Sequence, residues 1–283
     1  MVAEQSSRQV LRLSPTQIKA WQLCPQKWQY YTQRWKPAVP SVPLSIGFLV
    51  HDALEQFYKT ETRSLGLLLA ALHTRFAEFT GGYDIQARER YEHRWSTSLA
   101  HCEDVCQTFW DTFGTDDTVP STGVEESSVR LLRLGSTDSW DCDIELRCRH
   151  DVIDRPTRTL WSHKTRLSAI DPVRFTVFEP QHGLEALAAF GPDVDSVTVY
   201  CTVLRPDVAD RYLVPVRPPD SLPLVIGTAR AILSGDVIPH CGSHCMGCEY
   251  KPVCLLRLTG GDWQQMLEED YTKERKEETD GDT

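Results

Sequence analysis

The chain has 283 residues, 41% hydrophobic and 25% charged, a balance that suits a globular protein with a sizeable core and excludes a low-complexity chain. No apolar run approaches the roughly 18 residues of a membrane span, and the N-terminus MVAEQSSRQV lacks the apolar stretch of a secretory signal. A cytoplasmic location with reduced thiols is therefore expected. The formal net charge is −10, but residues 266–283 hold eight acids against three bases and supply −5 of it, so net charge does not decide for or against a nucleic-acid partner.

Ser14-Pro15 reads as an N-cap followed by proline at the first helical position, opening a helix over residues 15–34 that Cys24-Pro25 interrupts. A proline-rich linker at 36–43 precedes a helix at 45–59, and apolar periodicity predicts two more at 65–79 and 91–113. After Gly114 the texture turns to β: residues 123–134, 141–154 and 158–164 alternate or carry β-branched side chains, and Asp154-Arg155-Pro156-Thr157 reads as a hairpin turn. A helix at 179–190, strands at 194–204 and 211–216, and a helix at 222–233 complete the body. This order predicts an α/β fold, a central mixed sheet flanked by helices. One domain over 1–283 is expected, with a helical N-terminal insert at 60–115, a cysteine segment at 241–258 and an acidic tail at 266–283 that frays into disorder.

In a reducing compartment, clustered cysteines point to a metal or cluster, not to disulfides. Cys245, Cys248 and Cys254 form a C-x2-C-x5-C array whose thiolates can turn to one centre, with Cys241 or the distant Cys24 as fourth ligand. Cys102, Cys106, Cys142, Cys148 and Cys201 are scattered and read as buried small hydrophobes.

Three stretches, LSPTQIKAWQLCPQKWQYY, GFLVHDALEQFY and CMGCEYKPVC, together resemble the RecB-like branch of the PD-(D/E)XK nucleases. That branch includes CRISPR-associated exonucleases and the nuclease domains of bacterial helicase–nucleases. The resemblance covers residues 13–255, and 65–114 match least. It implies a restriction-endonuclease-like core and a 4Fe–4S cluster on Cys24, Cys245, Cys248 and Cys254 that staples the N- and C-terminal segments. A zinc site using Cys241 with the last three cysteines, or reduced thiols without a ligand, are the alternatives.

The resemblance also assigns a site. Asp151 stands where the family has its first acid, and Lys164-Thr165 matches its Lys-Thr at the end of the second strand. His51 matches a histidine that adds a ligand for Mg²⁺ or Mn²⁺, with Glu55 one turn on; Gln181 matches an orienting glutamine, and Glu125 an acid of the preceding strand. Three positions depart from the pattern. Ser162 replaces the second acid, Glu185 replaces a tyrosine four residues after Gln181, and Cys148 replaces a glycine. A serine hydroxyl is a poor ligand for a hard cation, so Glu179 or Glu185 is the possible substitute acid. Taken singly, Asp151 also reads as a turn-side acid, Lys164 as an exposed strand residue and His51 as a core histidine. Two functions stay open: a metal-dependent DNA nuclease acting on single strands or ends, and a non-catalytic DNA-binding or structural subunit of a replication, recombination or CRISPR-type complex. His51, Asp151, Lys164 and Gln181 favour the first, Ser162 the second.

Overall fold

The computed structural model describes residues 9–37, 42–83, 85–114, 119–120, 123–124, 126–133, 142–166 and 180–273. In chain order the elements are β1 (Gln9–Leu13), α1 (Pro15–Leu23), α2 (Pro25–Thr32), β2 (Trp35–Pro37), α3 (Val42–Lys59), α4 (Leu65–Gly81) and α5 (Ile85–Phe113). They continue with β3 (Ser127–Arg133), β4 (Cys142–Arg149), β5 (Val152–Asp154), β6 (Thr159–Thr165), α6 (Pro180–Phe190), β7 (Val197–Leu204), β8 (Ala209–Val216) and α7 (Pro218–Leu233). A short 3₁₀ turn (Ser243–Gly247), α8 (Lys251–Leu258), α9 (Trp263–Asp270) and β9 (Tyr271–Lys273) close the described chain. The α/β class expected from the pattern of elements is what forms. The chain divides into two compact units: one of Met1–Pro15 with Val42–Ile226, the other of Thr16–Ser41 with Gly227–Thr283.

The first unit carries two mixed sheets where one is expected. In the three-stranded sheet, β4 lies between β1, which runs parallel to it, and β3, which runs antiparallel. In the four-stranded sheet the order is β5-β6-β7-β8, with only β6 and β7 parallel. Helix α3 presents Leu49, Val50, Ala53, Leu54, Phe57 and Tyr58 at helical spacing, and all six are buried. They form one core with Leu68 and Leu72 of α4, Cys102, Val105, Cys106 and Phe109 of α5, and Val152 and Trp161 of the sheet. Truncating one of these, such as Leu54 to alanine, costs about 2–5 kcal/mol. Ser64 caps α4 by accepting the Leu67 N–H at 3.2 Å.

Strand alternation splits β6 between two cores. Trp161 joins the helical core of α3–α5, whereas Leu160 joins Val199, Cys201, Val203 and the α6 residues Ala186 and Ala189. Because side chains two apart share a face, Ser162 and Lys164 follow Leu160 toward α6, and His163 follows Trp161 toward α3 and α5.

The second unit packs Tyr30 of α2 against Tyr250, Val253, Leu267 and Tyr271. Tyr250 donates its hydroxyl to the Trp35 carbonyl at 2.5 Å, and Tyr271 donates to the Glu249 carbonyl at 2.6 Å. Within the acidic run that begins at Met266, α9 continues to Asp270 and β9 then pairs antiparallel with β2, with Leu267 and Tyr271 buried there. Residues 274–283 lie outside those described.

Candidate active site and cysteine cavity

In the first unit the site forms where α3, the β5–β6 hairpin and α6 meet. Gly47 makes the approach of α3 possible, since a Cβ there would come within 3.2 Å of the Thr165 hydroxyl at the end of β6. One turn further along α3, His51 places Nδ1 3.3 Å from Asp151 Oδ1. The other Asp151 oxygen accepts the His163 backbone N–H at 2.7 Å. Burial alone would raise the Asp151 pKa, but His51, His163 and Lys164 together hold its carboxyl well below the usual range, so it is ionised at neutral pH.

Glu185 sits on the α6 side of β6 and is almost fully buried. Gln181 donates to its Oε1 at 2.6 Å, Lys164 Nζ lies 4.0 Å from the same oxygen, and His182 Nδ1 lies 3.7 Å from Oε2. Burial again opposes ionisation, yet Lys164 and His182 outweigh it and depress the Glu185 pKa. Ser162 is buried on the same strand face as Lys164. Glu185 and Lys164 thus meet between α6 and β6.

The structure brings His51, Asp151, Lys164, Gln181 and Glu185 into this region of one unit. Glu55 also lines the small cavity beside His51 and Asp151, but it is engaged by Arg149 at 3.2 Å and by Lys59. Glu125 and Glu179 lie outside the described residues. His163, which the sequence pattern leaves unremarked between Ser162 and Lys164, lines the same cavity and stacks on Tyr58 with ring centroids 5.4 Å apart. Burial, with His51, Arg211 and Lys164 nearby, pushes its pKa down to about 3, so the ring is neutral at pH 7. The signal that could have found it is a histidine at a strand position whose neighbours, Trp161 and Thr165, face a helical core.

In the second unit, Cys24 lies at the break between α1 and α2, where Pro25 starts the new helix and Cys24 itself is extended at φ −164°, ψ 114°. Cys245 lies in the 3₁₀ turn, Cys248 just after it and Cys254 on α8. All four, with Cys241, His240, His244, Lys27 and Lys251, line one cavity. Lys27 pairs with Glu249 at 3.0 Å and Arg257 donates to the Gln26 side chain at 2.6 Å, which ties α2 to the C-terminal segment beside that cavity. Burial and the neighbouring sulfurs of Cys248, Cys24 and Cys245 push the Cys254 thiol up to about 11. Among the described residues, no three His, Cys, Asp or Glu side chains stand ready to hold a metal ion. The cysteines of the first unit are buried, and Cys102 and Cys106 pack in the helical core as the sequence suggests. No helix of the described residues is long and apolar enough to cross a membrane.

Residues 12–255 match the family model described as the PD-(D/E)XK nuclease superfamily. A comparison with curated proteins finds no match. Among solved structures, one described as "Crystal structure of SSO0001" is 15% identical, with a TM-score of 0.40, over 73% of this chain and 94% of that chain.

Proposed function

The chain belongs to the PD-(D/E)XK nuclease superfamily, and from that premise we propose that it is a metal-dependent DNA nuclease in which Glu185 stands in for the acid lost at Ser162. The observation that carries this reading is the Lys164–Glu185 pair at 4.0 Å, with Gln181 holding the same carboxylate at 2.6 Å. In this assignment His51 and Asp151, whose Nδ1 and Oδ1 lie 3.3 Å apart, would hold the divalent cation. A bound cation of this kind neutralises the scissile phosphate and lowers the pKa of the attacking water.

The chain's own groups supply the rest. Asp151 and Glu185 are both ionised at neutral pH and offer the negative charge that binding needs. Lys164, held beside Glu185 as an ammonium, would orient the attacking water by donating a hydrogen bond. Gln181 fixes Glu185 by its amide and leaves its own carbonyl for a substrate or a water. The resemblance to the RecB-like branch favours DNA single strands or ends as substrate.

That Cys24, Cys245, Cys248 and Cys254 line one cavity of the second unit supports a shared centre there, and the resemblance favours a 4Fe–4S cluster as that centre. Cys24, Cys245, Cys248 and Cys254 are the proposed ligands, and the cluster's part is to hold α1–α2 to the C-terminal segment.

Ser162 supports a second reading, in which the chain binds DNA or a protein partner without cutting. Cleavage of labelled single-stranded and duplex DNA in Mg²⁺ or Mn²⁺, with Asp151→Ala as control, decides between the two.

A further inference from the structure

We infer that the outer face of the three-stranded sheet β1-β4-β3 is a track for one strand of DNA, whose phosphates Arg12, Arg147 and Arg149 hold on its way to Asp151. The inference rests on the nuclease reading and concerns how the substrate reaches that site. Alternation along β4 turns Ile144, Leu146 and Cys148 into the protein, and all three are buried. Glu145, Arg147 and Arg149 therefore share the opposite face. In register beside them stand Arg12 of β1, level with Glu145, and two exposed apolar residues of β3, Val129 level with Arg147 and Leu131 level with Glu145.

What solvent meets on this face is guanidinium. The side chains of Arg12, Arg147 and Arg149 are 67%, 55% and 60% exposed, whereas the acids they pair with, Glu145 and Glu55, are 17% and 9% exposed. Arg12 Nε lies 3.6 Å from Glu145, which Arg147 also engages, and Arg149 donates to Glu55 at 3.2 Å. Lys59 is a further cation on Glu55, so four cations here meet two acids. Asp143, the next acid on this face of β4, is buried. Ion pairs open to solvent contribute little, so a phosphate can share or displace them. The excess of positive charge complements a polyanion.

The direction of the row says which polyanion. Arg147 and Arg149 are two residues apart on one strand, about 6.8 Å, a spacing like that of successive phosphates along an extended single strand. β4 ends at Arg149, and Asp151 follows two residues later. Arg149 also holds Glu55, which lines the cavity of His51 and Asp151. A DNA strand laid along β4 therefore arrives at the candidate site, with Val129 and Leu131 offering apolar contact to its sugars and bases.

The test is binding of the full chain to a labelled oligothymidylate of about 12 nucleotides, read by fluorescence anisotropy in EDTA over a range of salt. Each phosphate contact on a single strand adds about 0.7 to the magnitude of the slope of log K against log salt. Arg12→Ala and Arg147→Ala should each lower that magnitude by about 0.7, and the double variant should weaken binding about tenfold or more at low salt. Val129→Lys sets a new cation level with Arg147. It should steepen the slope and tighten binding, a gain that a misfolded variant cannot produce. Arg217→Ala removes an exposed arginine that follows β8 and should change neither. Unchanged slopes in the three face variants overturn the inference, and the nuclease reading stands if the parent still cuts DNA in Mn²⁺ or Mg²⁺. Slopes that move as expected in a chain that cuts with neither ion support the track and overturn the nuclease reading. If the face takes a second copy of the chain instead, sedimentation shows a dimer that Val129→Lys dissociates while the slopes stay unchanged, and the inference is overturned.

Discussion

Replacing Glu185 by glutamine separates its two roles. At 4.0 Å from Lys164, the pair interacts by about 4 kcal/mol at an effective dielectric of about 20. Removing one member of a buried pair leaves the other uncompensated, at a cost on the order of 3 kcal/mol. The expected loss of stability on Glu185→Gln is therefore about 2–4 kcal/mol, the lower end because the glutamine amide still bonds Gln181. Urea denaturation measures it. If Glu185 is also the stand-in acid, cleavage of labelled DNA should fall about a hundredfold or more, equivalent to roughly 3 kcal/mol of transition-state stabilisation. The double variant Ser162→Asp/Glu185→Gln returns a carboxylate to the strand face that Lys164 shares, and cleavage should recover by at least about tenfold. Loss of stability with cleavage unchanged in Glu185→Gln would refute the reasoning, and would make Glu185 a structural partner of Lys164 alone.

Acid should destabilise the first unit through His163. Its folded pKa of about 3 lies below the 6.5 of a free imidazole, so between those values the unfolded chain binds the extra proton and stability falls as pH drops. The full effect is on the order of 5 kcal/mol; unfolding curves at pH 7, 5 and 4 check it, and His163→Phe should flatten the dependence. Asp151 adds to this only at lower pH, since its depressed carboxyl loses its contribution as pH falls through its folded value. Cys24→Ser should lower iron content and visible absorbance in anaerobically purified protein, whereas Cys241→Ser should leave both unchanged; a colourless parent chain containing zinc contradicts the cluster assignment. Gly123→Ala should cost about 2 kcal/mol or more, because Gly123 has φ +74° and a Cβ there would meet the Ile153 carbonyl at 2.1 Å; thermal melts read it.

Much of the fold is legible in the sequence because its signals are local. Pro25 after Cys24 marks the break between α1 and α2, and the turn residues at 154–157 lie between β5 and β6, which form the expected hairpin. The strand pairing is not local. Nothing in Trp35–Pro37 or Tyr271–Lys273 announces that they pair across more than 200 residues, and an acidic run hides the apolar Leu267 and Tyr271 that fix the segment. Charge counting weighs every residue equally, whereas packing rewards two of them. The division into two sheets is hidden for a related reason, since β4 ends at Arg149 and β5 starts at Val152, two residues that periodicity alone would run together.

The candidate site is legible in part. Motif singles out His51, Asp151, Lys164 and Gln181, which the fold brings into one unit, and Glu185 is one of two acids proposed to replace the missing one. Which acid stands beside Lys164 depends on the register of β6 against β7 and on the packing of α6, and neither is written in the residues around Ser162. His163 escapes notice because a histidine between serine and lysine carries no signal until the strand's two faces are assigned to different cores.

The most direct test of the nuclease assignment is a comparison of the chain with Asp151→Ala on end-labelled single-stranded and duplex DNA, with Mn²⁺ and with Mg²⁺. Asp151 is the residue that both the His51 contact and the His163 N–H converge on. The account predicts cleavage by the parent chain in Mn²⁺ or Mg²⁺, and its loss in Asp151→Ala. A parent chain that binds DNA but cuts neither substrate with either ion, or an Asp151→Ala variant that cuts as well as the parent, contradicts it.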